Sequence, residues 1–435
     1  MKKFLSLVLA LVMTMSLVTV SAGAKDFTDS GELSGEQYAE AVNVMSEMGI
    51  IDGYAGGDFR PQGTLTRQAA AKIIACMILG KTTAESLGTS AAPFKDVPAG
   101  SSFAGYIAFC VERGLIDGYA DGTFRPTGTL TGFAFLKMLL GALGYDSSIE
   151  GYTGPNWTVN VAGRAYEIGL TAGNDEFVGA QACTREQAAL YAVNTLKTTL
   201  VEYTDRGSEI TVNGAVISTA ASVPTYVTSS VYNQATSINA DRDNSGDYTV
   251  EFAERYQPDL TMDRDTDDFG RPSYTWAWKN RDIGTYVDYS LMVAEYTTGV
   301  SGRELYNVLT ASTIRNADLD VYVDGVEPDE ADTIDKSDLS RSNQDDVGVT
   351  DNGVLTQVFV DTDANDGDGL ITIASINTWL AQATANYSES KEYAPLKVFT
   401  GKGGANTTYN VDVEDVANVA DVADEAFYLV NISYK

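Results

Sequence analysis

The nonapeptide Gly53-Tyr-Ala-Gly-Gly-Asp-Phe-Arg-Pro61 returns as Gly118-Tyr-Ala-Asp-Gly-Thr-Phe-Arg-Pro126, so the first third of this 435-residue chain is built on a duplicated module. The shared frame is wider than the loop. Asp52/Asp117, Phe59/Phe124 and Thr66/Thr131 stand 65 residues apart, and Phe27/Phe94 and Asp29/Asp96 stand 67 apart. A fixed period over acidic, aromatic and glycine positions marks repeats of one supersecondary unit.

Each copy opens with a short extended stretch that sets a side-chain oxygen before a helical pattern. Tyr38, Ala41, Val42, Met45 and Met48 recur at helical spacing in the first copy, and Phe103, Ile107, Cys110 and Val111 in the second. Both helices are expected to stop at a glycine, Gly49 and Gly114, which tolerates the left-handed conformation past a helix end. After the loop, Thr66 is placed to cap a second helix with Ala69, Ala70, Ile73, Ile74 and Met77 on its apolar side. A third, eroded copy is visible in Trp157, Ala165, Gly169-Leu170, Phe177 and Thr184-Arg-Glu-Gln187. A helix-loop-helix of this size cannot bury its own apolar face, so the three are expected to share one core.

These motifs resemble the S-layer homology family, over roughly residues 26 to 197. The resemblance implies a three-fold, all-helical assembly. It also implies non-covalent attachment to a negatively charged, commonly pyruvylated secondary polysaccharide of the cell wall, gripped in grooves beside a Thr-Arg helix start. Carried over residue by residue, the implied glycan-binding positions are Thr66, Arg67 and Gln68 in the first repeat and Thr184, Arg185 and Glu186 in the third. Asp29 and Asp96 are added as acidic candidates, with cap and turn roles as the other reading. The second copy departs from the motif with Thr131-Gly132-Phe133. An arginine at a helix start can meet a carboxylate with a planar fork while unpaired backbone N–H groups add positive potential. The other reading of Arg67 and Arg185 is an exposed arginine paired with a local carboxylate. Tyr54, Tyr119, Phe59 and Phe124 read as packing residues rather than sugar platforms.

Residues 1–24, with Lys2-Lys3, an apolar run from Phe4 to Val20 and Ala22-Gly23-Ala24, have the parts of a secretory signal peptide. No other stretch has the length and apolarity of a membrane span. Cys76, Cys110 and Cys183 are an odd set without close spacing, which argues for buried thiols rather than a disulfide framework or metal site. Residues 1–199 hold 19 acidic and 14 basic side chains, and residues 200–435 hold 41 and 15, for net charges of −5 and −26. The second half therefore binds neither nucleic acid nor an anionic polymer electrostatically, and attachment falls to the repeats with the acidic half projecting outward.

From about Leu200 the pattern changes to short alternating runs between Gly, Asn and Asp. Ile210 to Val212, Asn213-Gly214 and Ala215 to Ile217 form a hairpin signal. Strands are also expected at Tyr286–Tyr289, Leu319–Val323, Gln357–Val360, Leu370–Ile373, Leu396–Phe399 and Phe427–Val430, with a few helical turns over Arg303–Leu309. The acidic stretches Asp259–Pro272 and Asp329–Gly348 read as loops. The expected class is α + β and multidomain: repeats at 25–80, 92–145 and 150–199, then antiparallel, sandwich-like β regions at 200–340 and 341–435.

Asp361, Asp363, Asn365 and Asp368 place oxygens at alternate positions, as a calcium loop does, although the glycine and glutamate of an EF-hand are missing. A solvated hairpin turn is the other reading, and no other cofactor is expected. Trp276 and Trp278 would share one face of a strand, as sheet core or as a sugar platform. The chain contains no histidine, which removes Ser-His-Asp, Cys-His and histidine-zinc chemistry. Two-carboxylate glycoside hydrolysis stays chemically open, with nothing in the sequence favouring it. The sequence thus points to a non-enzymatic, wall-anchored surface protein with possible self-association in a surface layer. An anchored adhesin or carbohydrate-binding protein is the alternative.

Overall fold

The computed structural model describes residues 27–89, 94–212, 215–228, 238, 249–328, 333–348, 353–362, 364–399, 407–412 and 419–435. The signal segment, the Asn213-Gly214 turn and Asp363 lie outside the described residues. Among the described residues up to 200 there are seven α-helices: α1 Glu36–Glu47, α2 Arg67–Leu79, α3 Lys81–Glu85, α4 Ala104–Glu112, α5 Gly132–Leu143, α6 Trp157–Glu167 and α7 Arg185–Leu196.

Helices α1, α4 and α6 each end at a glycine in the left-handed region, Gly49 (φ 67°), Gly114 (φ 67°) and Gly169 (φ 73°). Helices α2, α5 and α7 begin after Thr66, Thr131 and Thr184, whose hydroxyls accept from the N–H of Ala69, Ala134 and Gln187. The residues before these caps close a ring of backbone hydrogen bonds. Leu65 N–H donates to Cys183 O (2.8 Å), Leu130 N–H to Leu65 O (2.9 Å) and Cys183 N–H to Leu130 O (2.9 Å). The third segment takes this place although its loop sequence has diverged.

Strands β1 Val201–Glu202, β2 Ser208–Val212, β3 Ala215–Thr219 and β4 Thr225–Tyr226 follow, with β2 and β3 paired as the hairpin signal predicts. After α8, Phe252–Tyr256, come β5 Leu260–Thr266, β6 Pro272–Trp278 and β7 Arg281–Val287, an antiparallel three-stranded sheet. The stretch expected to be a loop therefore contains β5. Its acids were misleading because Leu260 and Met262 turn inward while Asp263 and Asp265 face out, the alternation of a half-buried strand.

Strand β8 Met292–Tyr296, helix α9 Gly302–Asn316 and strand β9 Asp318–Val323 precede β10 Val354–Asp361 and β11 Leu370–Asn377. These four strands form one sheet in the order β8-β10-β11-β9, which spans the 340/341 division expected from the sequence. Strands β9 and β11 are parallel, so this sheet is mixed rather than antiparallel throughout. The reason is the α9 crossover: it returns the chain in the direction of β8, which already runs parallel to β11. Helix α9 outruns the few turns expected, starting at the Ser301/Glu304 capping box and breaking regular geometry at Thr310 (φ 65°). Strands β12 Trp379–Ala383, β13 Ala394–Phe399, β14 Thr407–Val411 and β15 Phe427–Val430 form an antiparallel sheet ordered β14-β13-β12-β15.

The first β region does not project away from the helices. Phe252, Leu260, Met262, Trp276, Ile283 and Tyr286 belong to the same buried cluster as Val42, Met45, Ile74 and Leu139. Trp276 is completely buried, and its indole N–H donates to Glu40 (2.7 Å), which makes it core rather than a sugar platform. Asn43 donates to the Tyr286 hydroxyl (2.8 Å), and the Gln257 amide donates to the carbonyls of Cys76 (3.1 Å) and Met77 (2.7 Å).

Candidate functional site

The two helix-start arginines make the same contacts one repeat apart. Arg67 Nε donates to Phe124 O (2.7 Å) and Nη2 to Asp117 O (2.6 Å), with the guanidinium over the rings of Phe124 and Tyr119 at 4.5 and 5.0 Å. Arg185 Nε donates to Phe59 O (2.8 Å) and Nη2 to Asp52 O (2.9 Å), over Phe59 and Tyr54 at 4.7 and 4.9 Å. Each arginine thus clasps the loop of a neighbouring repeat. With Arg67 only 8% exposed, the expectation of an exposed arginine paired with a carboxylate gives way to a buried inter-repeat clasp. Burial, the leading influence, pulls both guanidinium pKa values below their usual value.

The expectation of unpaired N–H groups at these helix starts is also corrected. Arg67 N–H donates to Gly128 O (2.9 Å) and Gln68 N–H to Pro126 O (2.9 Å). Arg185 N–H donates to Gly63 O (2.8 Å) and Glu186 N–H to Pro61 O (3.1 Å), so with the threonine caps the first three amides are all paired. Helix α5 repeats the pattern through Gly132 N–H to Gln181 O (3.0 Å) and Phe133 N–H to Gly179 O (2.9 Å).

The acidic candidates have local partners. Asp29 accepts from Phe59 N–H and Arg60 N–H (2.7 Å each), and Asp96 accepts from Phe124 N–H and Arg125 N–H (2.7 Å each). These bonds hold Arg60 and Arg125 at φ 61° and 57°, a conformation uncommon for a residue with a side chain. Desolvation pushes the Asp96 carboxyl up, but the two amides outweigh it and its pKa lies below the usual value. Glu186 is buried and accepts from Ser34 N–H (3.1 Å), the Ser34 hydroxyl (2.7 Å) and the Gln62 amide (2.8 Å). Gln68 is half-buried on the first turn of α2, and Thr66 and Thr184 act as helix caps.

Where Arg67 of the first repeat meets the second repeat and the start of the third segment lies a cavity of about 270 Å³, lined by Arg67, Asp117, Lys137, Tyr152 and Trp157 among others. Lys137 lies outside the Thr-Arg motif. Its signal is Lys72, which stands at the same sixth position after the cap threonine one period earlier. Lys137 Nζ sits 6.0 Å from the Trp157 ring centre. The junction of the third segment with the first repeat carries Arg185, Asp52 and Lys72 at the matching positions. There Asp52 is held by Lys72 (3.1 Å) and Lys81 (3.4 Å). Desolvation raises the Asp52 pKa, but the two lysines outweigh it and leave the carboxyl below its usual value. The remaining junction has Gly132, Ala172 and Leu190 at these positions, none of them charged.

Elsewhere, Asn365 donates to the Asp318 carboxylate (3.0 Å) and Gly369 O (3.4 Å) on the β10–β11 connection that also carries Asp361 and Asp368. Among the described residues no three carboxylates or thiols are grouped to hold a metal ion. Cys76, Cys110 and Cys183 are buried free thiols, pushed up by burial to about 11, 12 and 12, as packing residues rather than nucleophiles. No helix among the described residues is long and apolar enough to cross a membrane.

A family model for the S-layer homology domain matches residues 26–71 and 93–136. The chain is 24% identical over 215 residues to a surface layer protein of Brevibacillus choshinensis, covering 49% of this chain and 18% of that protein. It is 37% identical over 82 residues to a cellulosome-anchoring protein of Acetivibrio thermocellus, covering 19% of this chain and 18% of that one. It is 36% identical over 110 residues to an endoglucanase of a Bacillus species, covering 24% of this chain and 12% of the enzyme. The chain thus spans under a fifth of the length of these relatives. Two segments of this chain thus match the S-layer homology domain, and relatives it resembles include surface-layer and cell-surface proteins.

Proposed function

We propose that this protein is a non-enzymatic structural component of the cell surface, held to the wall when its repeats bind an anionic secondary polysaccharide, pyruvylated or otherwise acidic. The third segment, 150–199, acts as a degenerate third repeat that completes a pseudo-three-fold unit. The exposed acidic side chains of the β regions keep the displayed surface solvated. Cleavage of residues 1–24 precedes display, and copies associate laterally in a surface layer.

One observation carries the anchoring role: a concave junction that places Lys137 and the Arg67 guanidinium beside an aromatic ring, in the half of the chain with modest net charge. A cation with an adjacent ring suits an acidic sugar, since the charge meets the carboxylate and the ring covers the apolar sugar face. The matched domains and the names of the surface-layer and cellulosome-anchoring relatives support the same reading. The test is sedimentation of the full chain with purified wall sacculi before and after chemical removal of the secondary polymer. Binding that disappears with the polymer is the expected result. Equal binding to stripped sacculi, or none to intact ones, overturns the proposal.

A further inference from the structure

We propose that the seam between helix α1 and the first β region is a proton-linked latch: Glu36 takes up a proton there, and the seam tightens as the surroundings turn acidic. The proposal is independent of the wall-glycan reading, because it concerns how the repeats are joined to the β region and not what either one binds.

Glu36, Glu40, Asn43 and Glu47 recur at steps of four, three and four residues, so they lie on one face of α1. All four reach the β region. Glu47 pairs with Arg281 (3.1 Å), Asn43 donates to the Tyr286 hydroxyl (2.8 Å), Glu40 accepts from the Trp276 indole (2.7 Å) and Glu36 accepts from the Tyr289 hydroxyl. Glu47 thus meets a cation, on a side chain that is largely exposed. Glu36 and Glu40 are half-buried and meet neutral donors. They also stand one helical turn apart, where like charges repel.

The cation that acts on Glu36 is committed elsewhere. Arg271 is fully buried between the sheets and holds Asp267 through Nε (2.7 Å) and Nη2 (2.6 Å). Its Nη1 donates to the Gln357 side-chain oxygen (3.4 Å), and the Gln357 amide donates to Glu295 on β8 (2.8 Å). On the α7 side, Glu186 is turned to Ser34 and Gln62. Glu36, Glu40 and Asp267 therefore share one guanidinium in a partly desolvated seam, a balance that favours the neutral form of the carboxyl without an ion pair of its own. Burial, the largest influence, pushes the Glu36 carboxyl above its usual value, with Asp267 and Glu40 adding to the rise and Tyr289 and Arg271 opposing it.

A carboxyl raised in the folded state costs stability once it ionises. The cost is absent below the ordinary glutamate value of 4.5 and is complete only above the folded-state value. Since α1 opens the first repeat, the charge on Glu36 sets how firmly the β region seats on the helical half.

The test follows hydrogen exchange of residues 36–47 in the full chain from about pH 4 to about pH 7.5, corrected for the intrinsic pH dependence. Wild-type protection is expected to fall through one transition as pH rises. Glu36→Gln, which stands in for the protonated carboxyl, should keep the high protection throughout. Tyr289→Phe removes the donor to the ionised carboxyl and should move the transition to higher pH. Urea unfolding should give the same order, with the midpoint of Glu36→Gln above wild type at about pH 7.5 and level with it at about pH 4. Glu47→Gln, which breaks the Arg281 pair, should raise the midpoint at neither pH. Lower protection in Glu36→Gln than in wild type at neutral pH, an equal gap at both pH values, or a transition that Tyr289→Phe leaves in place overturns the proposal.

Discussion

Two of the three repeat junctions are clasped by an arginine, and at the third Phe133 packs edge-on against Phe177 beside Gly132. The backbone ring is the same at all three, with matching hydrogen bonds from Leu65, Leu130 and Cys183. The comparison separates two jobs that share one motif. Main-chain pairing closes the assembly regardless of side chain, while the arginine satisfies two carbonyls of the neighbouring loop, and an aromatic contact can replace it only where that loop has diverged.

The largest expected effect tests the clasp. Arg67→Met leaves the carbonyls of Phe124 and Asp117 without their donor, at about 1–3 kcal/mol for each unpaired group. Arg185→Met should behave alike at the other clasped junction, with both read from urea unfolding followed by circular dichroism. A loss below about 0.5 kcal/mol in both would mean that the clasp is incidental. Next in size, Phe177→Ala removes edge-on contacts with Phe133 (5.7 Å) and Tyr191 (5.9 Å) and should cost about 2 kcal/mol for a half-buried ring. Gly132→Ala should follow at about 1 kcal/mol, because the new methyl meets Phe177 and Gly179 too closely. A stabilising Gly132→Arg would refute the view that Phe133 has taken the arginine's place.

The smallest effect is a pH response, whose acid limb lies in the first two repeats. The folded-state pKa of Asp52 and of Asp96 is depressed, so each contributes stability above the ordinary carboxylate value of about 4 and loses it as pH falls below that. Asp96→Asn should lower stability at neutral pH and flatten its decline in acid. An acid unfolding curve unchanged by the substitution would contradict the loop-clamp role. At the alkaline end the sign reverses. Burial, with the Asn43 bond opposing only weakly, raises the Tyr286 pKa, so that stability is present below about pH 10 and falls above it as the contact between α1 and β7 loosens.

Much of the helical half was legible because its signals are local. Threonine caps, terminating glycines and the loop nonapeptide each act within one turn of chain, so a period of 65 residues exposes them. All five strands expected after residue 300 also occur, at β9, β10, β11, β13 and β15. Strand β5 was missed because its outward acids look like loop composition, and the parallel β9–β11 pair because a crossover depends on where a helix returns the chain. For the candidate site, the sequence offered Arg67 and Arg185 but not their partners 50 and 133 residues away, nor Lys137 as the cation without an ion pair among the described residues.

By itself, the sequence determined the repeat, its caps and turns, the absence of histidine chemistry and the charge contrast between halves, since all of these depend on residue type and short spacing. Only the tertiary structure decided which repeat each arginine clasps, that Trp276 joins the β region to α1, and that Lys137 makes no ion pair among the described residues. These depend on which distant groups meet. The number of ion pairs a lysine finds is a property of the assembled surface, not of its neighbours along the chain.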